Sequence, residues 1–163
     1  MQLTRNNKWL NATELKMLLK DKKTLEWLNE EGSISKKISL KAEFKLKILH
    51  DYIGTAEEEE YSALKIASED VRIREVMLFG NSSPLVFARS IIPNLTSSKG
   101  YTVLGSIGTK PLGDLLFQSK LFVKTRREFA QFKMLDGKIV WGRRTNYLVR
   151  NYPLSVMEVF LSP

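Results

Sequence analysis

Apolar residues recur at helical spacing in the first third of the chain. Leu15, Leu18 and Leu19 form one stripe, and Leu25 and Leu28 around Trp27 form a second. Asn11, followed three residues on by Glu14, has the form of a capping box, and Gly32 closes the helical region. Between Ile38 and Ile53 the period changes. Phe44, Leu46 and Ile48 alternate with Lys45 and Lys47, the pattern of a half-buried strand. The acidic run Glu57 to Glu60 reads as a solvated helix start or loop. Strands dominate the second half. Val71 to Phe79 and Leu85 to Ile92 flank a hairpin signal at Gly80-Asn81-Ser82-Ser83-Pro84. Pro111 suits the first position of a short helix over the residues that follow. Leu121 to Phe132, Ile139 to Val149 and Leu154 to Leu161 are separated by turns at Asp136-Gly137 and Asn151-Tyr152-Pro153. Helices first, then strands joined by short turns, predict an α+β class with a largely antiparallel sheet.

Three predicted strands carry a charge where the pattern calls for an apolar residue. Glu158 shares a face with Leu154, Val156 and Phe160 in a strand that is apolar on both faces and therefore central. Arg74 shares a face with Val76 and Leu78, and Arg89 with Leu85, Phe87 and Ile91. An ion buried without a partner costs several kcal/mol. Two readings satisfy that cost. Glu158 pairs with one of these arginines as an internal salt bridge, or the three line a polar pocket for a small anion. Pro111 adds weight to the pocket, because the N–H groups of Leu112 and Gly113 would lack intrahelical partners. Trp141-Gly142-Arg143-Arg144 is a compact basic and aromatic cluster that reads as an exposed strand with its Trp in the core. His50 reads as an ordinary strand-end residue.

Composition narrows the chemistry. The chain of 163 residues fits one domain, 1–163, and carries a net charge of +8. It has no cysteine and one histidine, which excludes disulfides, thiol catalysis and cysteine-ligated zinc. No apolar run is long enough to span a membrane. Residues 1–20 carry charges throughout, so no signal peptide and a cytoplasmic location are expected. The last 44 residues hold nine Lys/Arg against three acids, but no basic helix, helix-turn-helix or RNA-binding aromatic pattern supports a nucleic-acid groove. There is no P-loop and no dinucleotide-type glycine fingerprint.

Ile73-Arg74-Glu75-Val76-Met77-Leu78, Ala88-Arg89-Ser90-Ile91-Ile92-Pro93, Gly108-Thr109-Lys110-Pro111-Leu112-Gly113-Asp114-Leu115-Leu116-Phe117, Trp141-Gly142-Arg143-Arg144 and Glu158-Val159-Phe160-Leu161 occur in that order. Together they resemble the chorismate pyruvate-lyases of the bacterial ubiquinone pathway, from about Leu25 to the end. The resemblance implies a six-stranded antiparallel sheet covered by helices. It implies conversion of chorismate to 4-hydroxybenzoate and pyruvate without metal or organic cofactor, by a monomer that needs no nucleic-acid partner and no membrane insertion. By the same resemblance, Arg74 holds the ring carboxylate, Glu158 meets the 4-hydroxyl, and Arg89 is a further basic residue near the pocket. Gly32 to Lys36 matches a ligand-covering flap. Within it Ile34, where the family pattern has a methionine, offers a backbone N–H, and Leu112 offers a second.

This reaction suits the residues. The C4 hydrogen can pass to the enolpyruvyl methylene through a six-membered arrangement, so positioning supplies much of the rate. Glu158 as a general base at C4 is a competing version. A product bearing a carboxylate and a hydroxyl also fits such a pocket, which predicts product inhibition and slow release. The rival is a ligand-sensing domain of a transcription regulator, which shares the fold. Such sensors follow a DNA-binding domain for which this chain has no room, and need not keep the Arg74 and Glu158 pair.

Overall fold

The computed structural model describes residues 1–118 and 120–163. In chain order the elements are β1 (Leu3–Arg5), α1 (Ala12–Leu18), α2 (Lys22–Leu28), α3 (Ile34–Ser39), β2 (Phe44–Thr55), α4 (Glu58–Leu64), β3 (Asp70–Gly80) and β4 (Ser83–Pro93). A π-helical turn (Thr96–Gly100) and a 3-10 turn (Thr102–Ser106) lead to α5 (Leu112–Gln118), β5 (Phe122–Met134), β6 (Ile139–Val149) and β7 (Tyr152–Phe160).

All seven strands form one sheet in the order β1-β5-β6-β7-β4-β3-β2, with every neighbour antiparallel. The sheet has seven strands rather than six. The extra one, β1, lies in a polar stretch with no strand period, and forms because the outer edge of β5 offers it backbone partners. Glu158 does sit on a central strand, since β7 is the middle member of the sheet.

The local signals act as expected at several points. Asn11 and Glu14 exchange both capping-box hydrogen bonds. Asn81 and Ser82 take φ of 49° and 68°, the two left-handed residues of the favoured two-residue hairpin turn. Ile38 belongs to α3 instead of the following strand, and its side chain packs in the core.

Each face of the sheet carries its own core. The front face (Val76, Leu78, Val86, Ala88, Phe129, Trp141, Phe160) packs against Leu10, Leu15 and Leu28 and against Ile34 and Ile38 of α3. It continues through Val149, Leu154 and Val156 to Leu112 and Leu116 of α5. The back face packs Met77, Phe87, Phe132 and Val159 beneath the N-terminal segment, and Ile73 and Ile91 beneath Tyr61 and Leu64 of α4. The sheet is thus buried on both sides, which is why its central strands are nearly continuous apolar runs.

Candidate active site

A pocket opens on the front face between the sheet, α3 and α5, with about 540 Å³ of empty space including its mouth. Its floor is Arg74, Val76 and Leu78 of β3, Ala88 and Ser90 of β4, Val156 and Glu158 of β7, and Arg143 and Tyr147 of β6. Ile34 and Ser35 cover it from α3, and Leu112, Leu116 and Phe117 from α5. Four of the five residues singled out for the site therefore meet here: Ile34, Arg74, Leu112 and Glu158. Pro111 directly precedes α5 and places the Leu112 N–H in its first turn, where no intrahelical acceptor exists.

Arg89 does not reach this pocket. In an unbroken hairpin with a two-residue turn it would stand opposite Arg74. Leu85 is instead an extra residue on β4: Phe79 faces Pro84, but Leu78 faces Val86. From that bulge onward Arg74 faces Ser90, and Arg89 faces Glu75 on the back of the sheet. There it donates to Glu60 at 2.7 and 2.9 Å and to Glu75 at 2.7 Å. The Glu60 hydrogen bonds raise the pKa of Arg89 further above the ordinary arginine range. The expected pocket role for Arg89 is corrected on this ground.

The acidic run is the largely exposed start of α4, as expected, with a further role. Glu60 clamps Arg89, and Glu59 accepts from Arg144 at 3.1 Å, so two of its four acids hold α4 against the back of the sheet. Arg144 also donates to Glu128 at 2.8 Å and lies 4.3 Å from the centre of the Trp9 ring. His50 pairs with Glu75 at 2.8 Å on the exposed side of the same row.

Arg74 is 2% exposed. Its Nη2 donates to the carbonyls of Gly108 and Lys110 at 3.1 and 2.9 Å. Its nearest carboxylate, Asp51, stands 3.8 Å from Nε and is itself bound by Arg72 at 2.7 Å. Nε makes no hydrogen bond among the described residues. Burial pulls the pKa of Arg74 below its ordinary value, opposed by the charge of Asp51. The result is a cation held in place by neutral carbonyls at the pocket wall and closely paired with no acid.

Glu158 does form an internal salt bridge, but with Arg143, which the sequence pattern places on an exposed strand. Arg143 stands directly opposite it on β6 and donates from Nε to Oε2 at 2.6 Å. Arg143 is 2% exposed. Its Nη1 donates to the carbonyls of Leu28 and Glu30 at 3.2 and 2.6 Å, which ties the segment before α3 to the pocket floor. Close approach of β6 and β7 here requires Gly142, because a Cβ would meet Glu158 O and Phe132 at 2.8 Å. Glu158 Oε1 has no hydrogen-bond partner among the described residues. The alternation of Trp141, Arg143 and Thr145 with Gly142 and Arg144 carried this information. What was missing was which strand lies beside β7.

Tyr147 is the other residue not foreseen. Burial raises the pKa of its phenol, and the nearby Glu158 charge raises it further. Among the described residues no three His, Cys, Asp or Glu converge where they could hold a metal ion. No helix is long and apolar enough to cross a membrane.

Two arginines, a glutamate and a phenol line one pocket of an α+β domain under a mostly apolar cover, a lining chemically suited to a small anion. The match to the chorismate lyase family extends over residues 3–163, and the chain belongs to that family. It is 33% identical to a probable chorismate pyruvate-lyase of Psychromonas ingrahamii, across 84% of this chain and 81% of that one. It is also 33% identical to a probable chorismate pyruvate-lyase 2 of Pseudomonas entomophila, across 94% and 87%. Among solved structures, the ligand-binding domain of a GntR-family transcriptional regulator from Bordetella bronchiseptica superposes with a TM-score of 0.56, covering 82% of this chain and 87% of that one. At 17% identity that likeness concerns the fold alone.

Proposed function

We propose that the pocket eliminates pyruvate from chorismate and leaves 4-hydroxybenzoate. The observation that carries this reading is that one enclosed space is lined by a buried cation whose nearest acid stands 3.8 Å away, Arg74, and by a carboxylate with one oxygen free of hydrogen bonds among the described residues, Glu158. Chorismate presents a ring carboxylate and a 4-hydroxyl on opposite sides of one ring. Arg74 takes the carboxylate through the guanidinium hydrogens other than those of Nη2, whose two are held by the carbonyls of Gly108 and Lys110. Glu158 Oε1 accepts the hydroxyl. The N–H groups of Ile34 and Leu112 supply further donors from the two covering elements.

With the ring fixed in this way, the C4 hydrogen moves to the enolpyruvyl methylene. The C3–O bond breaks, the former ether oxygen becomes the ketone of pyruvate, and the ring becomes aromatic. The hydrogen stays within the one substrate molecule and ends in the methyl group of pyruvate, so no base has to be regenerated. Because Glu158 Oε2 is engaged by Arg143 at 2.6 Å, the glutamate serves as a fixed acceptor that holds the near-attack geometry. Arg143, as the second cation lining the pocket, also faces the charge that develops on the departing oxygen. Mixing the purified protein with chorismate, without added metal, should produce 4-hydroxybenzoate absorbance and an equal amount of pyruvate in a coupled assay. Absence of both products would end this reading.

A further inference from the structure

Asp114 belongs to no step above, yet one of its oxygens is the tightest link between the two elements that cover the pocket. Ser33 Oγ and Ser35 Oγ lie 2.6 and 2.5 Å from Asp114 Oδ1, and 2.6 Å from each other. Both serines are 5% exposed. Two hydroxyl protons therefore serve three close contacts, and the carboxylate is the acceptor that makes the cluster favourable. Among the described residues Asp114 has no ion-pair partner.

The positions of the three residues give the cluster its meaning. Ser33 and Ser35 flank Ile34, and Asp114 lies two residues after Leu112. The clasp thus joins the two backbone segments that offer their N–H groups to the ligand. Behind it, the segment is anchored independently, because Arg143 holds the carbonyls of Leu28 and Glu30. Releasing Asp114 would free residues 33–36 at the pocket while leaving their base attached to the sheet. An opened Asp114 exchanges serine donors for water, so the clasp costs little to undo and can cycle. A buried ion pair at the same place would not have that property.

We propose that Asp114 is a positioning residue. It clasps α3 to α5, sets the spacing of the Ile34 and Leu112 donors, and limits how fast ligand leaves. This rests on the proposed reaction for the identity of the ligand, but the clasp itself can be read without turnover. In Asp114→Ala, amide hydrogen exchange over residues 33–36 and 112–116 should speed up about tenfold, the effect of removing ~1.4 kcal/mol of closing free energy. Exchange in β3, β4, β6 and β7 should be unchanged. The release rate of 4-hydroxybenzoate, followed by stopped-flow displacement, should rise by a similar factor. Product inhibition should weaken and KM should rise. Ser35→Ala tests the same clasp without disturbing a helix cap, since Ser33 also caps α3 through the Lys36 N–H. It should shift exchange and release in the same direction even if the aspartate variant folds poorly. Unchanged local exchange and unchanged release in Ser35→Ala would overturn the proposal. Loss of protection spread over the whole sheet in both variants would overturn it equally, by showing a merely structural role. If the wild type makes no 4-hydroxybenzoate while local exchange responds as stated, the reaction is wrong and the clasp stands.

Discussion

Replacing Arg143 with methionine should destabilise the protein more than replacing its partner Glu158 with glutamine. Methionine keeps most of the buried volume of Arg143 but removes donors from Glu158 Oε2, Leu28 O and Glu30 O. A carboxylate only 15% exposed is then left without its cation. Breaking a buried pair from one side costs ~3–5 kcal/mol. Glutamine at 158 keeps an acceptor for Arg143 Nε, and the cation keeps both carbonyls. The loss is then the difference between a charged and a neutral hydrogen bond, ~1–2 kcal/mol. For a chain of this size each kcal/mol moves Tm by about 2–4 °C, so Arg143→Met should melt ~6–20 °C below wild type. Combining the two changes should recover part of the loss, since the amide removes the orphaned charge. Thermal melts together with urea unfolding, with the slope checked for two-state behaviour, give all four corners of the cycle. The reasoning fails if Arg143→Met melts within ~2 °C of wild type, or if the double variant is less stable than Arg143→Met alone.

Other consequences follow from the same geometry. Glu158→Gln should lower kcat by well under the roughly 100-fold expected for loss of a general base, and a larger fall at constant KM would reinstate the base. Arg74→Ala should lower kcat/KM by roughly 10- to 150-fold, the value of a charged hydrogen bond to the substrate, and near-normal kinetics would defeat the carboxylate assignment. Arg89→Ala should cost roughly 3 kcal/mol in urea unfolding, through the orphaned Glu60 and Glu75, while kcat/KM stays within about threefold; a selective loss of activity would return Arg89 to the site. Hydrogen bonds from Arg72 hold the Asp51 carboxyl below the ordinary carboxylate range. The unfolded chain therefore takes up the proton first as pH falls. The resulting stability is fully present above about pH 4 and disappears as pH drops through the native value. Tm should thus fall more steeply below pH 4 in wild type than in Asp51→Asn, and parallel curves would refute this.

Much of the site was legible because charges inside apolar strands are conspicuous. Arg74 and Glu158 stood out by periodicity alone, and Leu112 by the proline before it. Arg89 stood out in the same way and was misplaced. Period 2 assigns a residue to a face of its own strand, whereas the relation between strands depends on register. One extra residue at Leu85 inverted that relation. Arg143 was hidden for a related reason, because its partner is reached only once β6 and β7 are known to be neighbours. β1 had no signal to read, since a three-residue edge strand depends on its neighbour's backbone. The Asp114 clasp joins residues 79 and 81 positions apart, beyond any local pattern.

Arg143 and Arg144 are adjacent in sequence, yet one belongs to the pocket and the other to the clamp beneath α4. The same division holds along every central strand, so the sheet acts as a partition. For anyone wishing to reshape this protein, that is a practical gift. Val76, Leu78, Ala88, Ser90 and Val156 can be varied as a set to change what the cavity admits. Val76, Leu78 and Ala88 also belong to the front core, so such changes must keep its volume, while the alternate residues on the back face need not be touched.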